Sequence, residues 1–233
     1  MGSAQVGRIF GIPIVLDGTF ILLALLYGFH NFTSGSTASI SYGVVLVAGV
    51  ALSILLHELG HALAARYWAV PTAYIELNGL GGLCHFARAM PQNRVANIVM
   101  LLAGPAANFI LWQVFSNAGR WMFQQPGDTF AGATRTAHLL LQLGSVNFML
   151  FVFNLLPSHP LDGGRTLVQI LSKFTGYDRA MRAVAYLGLL VAVWLGLLAF
   201  SGQIFAALMA FVLLQTNLEV LQSHQGPRWT RWN

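Results

Sequence analysis

Runs of apolar residues long enough to cross a lipid bilayer occupy most of this chain. A transmembrane helix needs about 20 such residues, and six segments come close to that length: about 13–29, 40–65, 95–118, 136–156, 183–201 and 203–221. Only 8% of the residues are charged, whereas soluble domains carry about 25%. The sequence therefore predicts an all-α polytopic membrane protein with six transmembrane helices, forming a single domain over residues 1–233.

The stretch between the second and third segments, PTAYIELNGLGGLCHFARAMP, has a different pattern. Tyr74, Ile75 and Leu77 favour a strand, and a glycine-rich turn follows them. One interpretation is a short β-hairpin that dips into the membrane, where non-helical backbone is tolerated only if protein or a water-filled cavity satisfies it. The alternative is an ordinary surface loop.

Basic residues are unevenly distributed between the loops. With six spans, Arg120 and Arg135 lie on one side of the membrane, and the other ten basic residues lie opposite: Arg8, Arg66, Arg88, Arg94, Arg165, Lys173, Arg179, Arg182, Arg228 and Arg231. Because Lys and Arg concentrate in cytoplasmic loops, we expect both termini to be cytoplasmic, in the plasma membrane of a prokaryote. This distribution accounts for the formal charge of +5, and no dense basic run indicates nucleic-acid binding.

Three ionisable residues, His57, Glu58 and His61, lie near the end of the second apolar segment. Each ionisable residue in a span costs about 2.5–3.5 kcal/mol on insertion scales, so its default interpretation is functional. Residues four apart share one face of a helix, which allows both imidazoles to bind one metal ion. The H-E-x-x-H spacing predicts two zinc ligands, with Glu58 as a general base. The alternative is a pair of histidines that cap or bridge helices.

A catalytic zinc usually has three protein ligands and one position left for water. Cys84 is the only cysteine, which excludes a cysteine-rich zinc site. The carboxylates that remain as candidates are Asp17, Glu76, Asp128, Asp162, Asp178 and Glu219. Asp162 has the most unusual context, NLLPSHPLDGGR, in which two prolines stop the fourth helix and two glycines free the backbone after it. This broken segment can turn Asp162 back toward the second span.

HELGH within a span, followed by NLLPSHPLDGG after a later one, resembles the site-2 protease family of intramembrane zinc metalloproteases. NGLGG and AGPAAN fit the pattern of that family too, so that the resemblance covers a catalytic core of roughly residues 40–170. It implies one zinc ion per chain, bound by His57, His61 and Asp162. It also implies that Glu58 is the general base and that six spans form the core.

Two further residues of the NLLPSHPLDGG segment are singled out. Asn154 matches the asparagine that opens this segment in the family, and the resemblance implies that it holds substrate or polarises its carbonyl; packing between helices is the alternative. His159 departs from the family pattern, which has an apolar residue between the prolines. It can hydrogen-bond a zinc ligand, occupy the open position of the zinc in a resting state, or serve packing or the aqueous interface.

The resemblance also implies the activity: hydrolysis of peptide bonds in transmembrane segments of protein substrates near the cytoplasmic face of the bilayer. The segment from Tyr74 to Phe86 would offer a strand edge to the unwound substrate. The chain has no stretch long enough for a PDZ domain or a CBS pair, so we expect a minimal form regulated by substrate shape or partner proteins. Two alternatives are a non-catalytic adaptor, which the intact Glu58 disfavours, and a metal-ion transporter, which the scarcity of ionisable residues in the other spans disfavours.

Overall fold

The computed structural model describes residues 2–79, 81–124, 131–200 and 202–223. Its helices are α1 Ile21–Thr33, α2 Thr37–Tyr67, α3 Arg94–Gln124, α4 Ala131–Asn154, α5 Asp162–Thr175, α6 Tyr177–Ala199 and α7 Ile204–Gln222. Its strands are β1 Ser3–Ile9, β2 Ile12–Asp17, β3 Thr72–Asn78 and β4 Gly81–Phe86. Asp128, Arg228 and Arg231, which the sequence analysis considered, lie outside the described residues.

Five of these helices are long and apolar enough to cross a membrane: α2, α3, α4 from Thr134, α6, and α7 from Phe205. A shorter apolar helical segment, Gly18–Thr33, precedes them. The described part of the chain is therefore a mostly helical membrane protein with five or six candidate spans. The prediction of a mostly helical, multi-span membrane protein is confirmed in this form, and a four-stranded sheet accompanies the helices.

The first predicted span, residues 13–29, is divided between β2 and α1. In β2 the buried residues alternate, with Ile12 and Ile14 turned toward the core. The side chain of Asp17 then accepts a hydrogen bond of 2.8 Å from the backbone N–H of Thr19, which begins a single 3-10 turn before α1. Hydropathy does not distinguish a short buried strand from part of a helix. The predicted span therefore began within β2 instead of at α1.

The sheet has the strand order β1-β2-β3-β4. β3 and β4 follow α2 and pair antiparallel. β2 pairs parallel with β3 and antiparallel with β1, so the N-terminal residues extend the hairpin into a larger sheet. Ile75 and Leu77 of β3 belong to the same apolar cluster as Ile54 and Leu59 of α2. The sheet thus packs on the helix that carries the histidine pair.

The chain forms two compact units. The first comprises Met1–Ala87 and Ala103–Phe151, and its core is the cluster that joins the sheet to α1, α2 and α4. The second comprises Arg88–Leu102 and Val152–Asn233. It contains one apolar cluster around Val168 and Val184 and another around Leu195 and Leu213. These two clusters pack α5 and α7 on α6.

Candidate metal centre

The two histidines of HELGH lie one turn apart on the unbroken helix α2 and are both buried. Their rings meet edge to face, with centroids 4.8 Å apart. The Nε2 atoms of His57 and His61 are separated by 3.1 Å. Two nitrogens that bind one tetrahedral zinc at the usual bond length lie about 3.3 Å apart. The pair is therefore placed as two ligands of one ion.

Two glycines bring α3 close to this face of α2. A Cβ built on Gly60 would lie 2.6 Å from the carbonyl oxygen of Ala103. A Cβ built on Gly104 would lie 2.7 Å from Nε2 of His57 and would overlap Nε2 of His61. The small residues of HELGH and AGPAAN therefore allow the two helices to touch, and they leave space at the ligand atoms that any larger side chain would fill.

A chain of buried polar side chains fixes the orientation of His57. Its Nδ1 lies 2.5 Å from Oδ1 of Asn108, an acceptor, so Nδ1 carries the proton and Nε2 keeps its lone pair for a metal. The amide of Asn108 donates to Oδ1 of Asn147 at 2.8 Å, and the amide of Asn147 donates to Oγ of Ser53 at 2.9 Å. This buried chain joins α3, α4 and α2 behind the histidine.

Sequence reasoning missed the role of these polar residues. Asn108 belongs to AGPAAN, but Asn108, Asn147 and Ser53 are not ionisable, and ionisable residues are what marks a functional site in an apolar span. An amide in an apolar span is also costly unless it is hydrogen-bonded. The asparagines of the third and fourth apolar segments therefore carried a usable indication of a buried polar network.

Asp162 is the first residue of α5 and is buried. Backbone crowds the two glycines after it: a Cβ on Gly163 would overlap the carbonyl of Leu155, and one on Gly164 would overlap that of Ser158. Only residues without a side chain allow the broken segment to fold so tightly onto the start of the helix. The sequence predicts a freer backbone at these glycines, but both are helical without a positive φ, and they are required because a Cβ would collide with the segment between α4 and α5.

Ligand atoms of His57, His61 and Asp162 all lie within 4.8 Å of one another. Two imidazole nitrogens and one carboxylate oxygen form a donor set that zinc prefers in hydrolytic sites, where three protein ligands leave one position open. All three residues are buried, and burial without a compensating cation would be costly for the carboxylate. The prediction of one zinc site with these three ligands is confirmed.

Glu58 lies beside the ligand set and is covered by the sheet. It is 6% exposed. A Cβ on Gly82 of β4 would lie 2.5 Å from Cγ of Glu58 and 2.8 Å from its Oε1. The backbone of β4 therefore passes directly over this carboxylate.

Asn154 and His159 occupy different environments. Asn154 is the last residue of α4 and is half-buried. His159 lies between α4 and α5 and is 1% exposed. Burial lowers the pKa of His159 to about 4, so its imidazole is neutral at neutral pH.

Comparison with known proteins places this geometry among zinc peptidases. The model of peptidase family M50 matches residues 45–123 and 121–195. Zinc metalloprotease MJ0392 of Methanocaldococcus jannaschii is 32% identical over 203 residues, which cover 85% of this chain and 55% of that protein. The solved structure of the site-2 protease from Methanocaldococcus jannaschii superposes with a TM-score of 0.66 and 28% identity, over 95% of this chain and 96% of that one. The chain spans about half the length of the curated relatives that it matches.

Proposed function

The chain belongs to peptidase family M50, and we propose on that basis that it is an intramembrane protease that hydrolyses peptide bonds in transmembrane segments of protein substrates. The resemblance to the site-2 protease family is thereby confirmed. The observation that carries the proposal is the buried group of His57, His61 and Asp162, with Glu58 next to the first ligand on the same helix. All four residues lie in the part of the chain that the family model matches.

The chemistry follows from the residues around this group. Zinc, when bound, supplies a Lewis acid for the scissile carbonyl and lowers the pKa of a water molecule toward about 7. Glu58 takes the proton from the attacking water and delivers it to the leaving amine, which returns the carboxylate to its starting state. Asn108 holds His57 in the tautomer that leaves Nε2 free for the metal.

β4 is proposed to receive the substrate. Among the described strands it is the last in the order β1-β2-β3-β4, so its outer edge pairs with none of them, and an extended peptide is proposed to pair there. Gly82 of this strand lies against Glu58, so a peptide paired with β4 would pass close to the general base. Asn154, at the end of α4, is proposed to contact the carbonyl of the same peptide.

The edge of β4 offers a direct test. Leu83 is 45% exposed, so its replacement changes the strand edge more than the core. Leu83→Pro should abolish cleavage and leave zinc content unchanged, because proline removes a backbone donor and distorts the strand. Leu83→Ala is the matched control and should cleave. Undiminished cleavage by the proline variant would count against pairing at β4.

Six spans with both termini in the cytoplasm are proposed for the membrane topology. The short apolar helix α1 would be the sixth span, and the ten-to-two division of basic residues supports the orientation. This orientation places the end of α2, where HELGH lies, near the cytoplasmic face. Water then has a short path to the site.

The experiment that tests the proposed function compares the membrane proteomes of cells carrying the native chain and Glu58→Gln. Substrates should accumulate as uncut fragments in the variant, which should bind zinc as the native chain does. Loss of the general base should lower the cleavage rate about 100- to 10,000-fold. Identical fragments in both cells would favour the adaptor, and zinc flux into liposomes without proteolysis would favour the transporter.

A further inference from the structure

A fully buried asparagine lies on α7, outside the motifs discussed so far. Asn217 is 0% exposed and belongs to a candidate span. Its Oδ1 accepts a hydrogen bond from the backbone N–H of His159 at 3.3 Å. Its Nδ2 lies within donating distance of the hydroxyl of Ser158 at 2.9 Å and the carbonyl of His159 at 3.0 Å. One amide thus holds two successive residues of the segment between α4 and α5.

The neighbouring helix α6 is shaped to accept this amide. A Cβ built on Gly188 would overlap Oδ1 of Asn217 and would lie 2.6 Å from its Nδ2. Nδ2 of Asn217 also lies 2.7 Å from the carbonyl of Leu213 on its own helix, so the two amide hydrogens are shared among three acceptors. Asn217 is therefore confined by α6, by α7 and by the segment that it binds, with little freedom to turn.

The segment that Asn217 binds leads directly to a metal ligand. Ser158 and His159 are both buried, and the carbonyl of Ser158 lies where a Cβ of Gly164 would be. Gly164 belongs to the first turn of α5, which begins with Asp162. A displacement of Ser158 would therefore move the backbone that carries the Asp162 carboxylate.

We propose that Asn217 is a positioning residue for the zinc site, which anchors the Ser158–His159 segment to α7 and so holds Asp162 in its ligand position. The proposal concerns zinc binding and does not depend on the identity of the peptide substrate. A chain that binds zinc as described below but cleaves nothing would contradict the proposed function and leave this inference standing.

The test measures the affinity for zinc of the purified full chain in detergent, by competition with a chelator. Asn217→Leu has a similar volume and no hydrogen-bonding groups, and it should raise the Kd for zinc about 10-fold, within the range known for outer partners of metal ligands. Gly188→Ala keeps every polar atom but displaces the amide, and it should weaken zinc binding in the same way. Gly196→Ala is the matched control on α6, because its Cβ would meet nothing closer than 4.0 Å.

Two further measurements separate positioning from general destabilisation. At saturating zinc, Asn217→Leu should still bind one zinc ion per chain, whereas a misfolded variant would not. In the Asn217→Ala background, which removes the overlap, Gly188→Ala should add little to the loss of zinc affinity. A Kd within twofold of native in both Asn217→Leu and Gly188→Ala would overturn the proposal. An equal loss in Gly196→Ala would overturn it as well.

Discussion

Replacement of Asn108 by leucine isolates the contribution of the hydrogen bond behind His57. The change keeps the branching of the side chain but removes three buried hydrogen bonds, of 2.5 Å to His57, 2.8 Å to Asn147 and 3.5 Å to the carbonyl of Ser53. Each buried group left without a partner costs about 1–3 kcal/mol. The imidazole also loses the acceptor that sets its tautomer, which should lower zinc affinity about 10- to 100-fold, or about 1.4–2.7 kcal/mol.

The assay for this change is chelator competition on the purified protein, together with zinc content after dialysis. Asn117→Leu is the matched control, since Asn117 lies on the same helix but is exposed and bonds only to Gln113 and Arg120 among the described contacts. It should bind zinc as the native chain does. If Asn108→Leu retained native affinity, the buried amide would have no part in orienting the ligand, and the reasoning from tautomer to metal affinity would be refuted.

Two other perturbations address the packing and the titration of residues near the site. Gly104→Ala should abolish zinc binding, because the added Cβ would overlap Nε2 of His61. The measurement is the metal content of the purified protein. Gly7→Ala is the control, since its Cβ would have nothing within 4 Å. Burial lowers the pKa of His159 from its ordinary value of 6.5 to about 4, so the folded chain binds fewer protons there than the unfolded chain. Stability should therefore fall as the pH drops from 6.5 toward 4. His159→Leu should make thermal unfolding less dependent on pH in this window, and an unchanged slope would contradict the assigned pKa.

The metal ligands were predictable because local geometry determines most of their arrangement. In any continuous helix, residues 57 and 61 lie on one face, so the spacing alone brings the two imidazoles together. Asp162 was predictable from the prolines before it and the glycines after it, because both act on residues close in sequence: the prolines end α4, and the glycines contact the backbone of Leu155 and Ser158. The resemblance to a known family added the pairing of these two segments, which no local rule supplies.

The sheet and the polar network were less accessible, because both depend on contacts distant in sequence. β2 reads as the start of a span, and only its parallel pairing with β3, some sixty residues later, makes it a strand. Asn147 bonds to Ser53 and to Asn108 across three helices. Apolar content identifies the segments that can lie in a membrane, but it does not tell which residues of different segments face each other.

The partners behind His57 are two amides and a hydroxyl, and the hydroxyl of Ser53 in turn donates to the backbone carbonyl of Gly49 at 2.8 Å. None of these groups gains or loses a proton over the range in which cells live. Many zinc histidines are instead backed by a carboxylate, whose charge changes in acid. Acid therefore cannot weaken zinc binding through these three partners of His57.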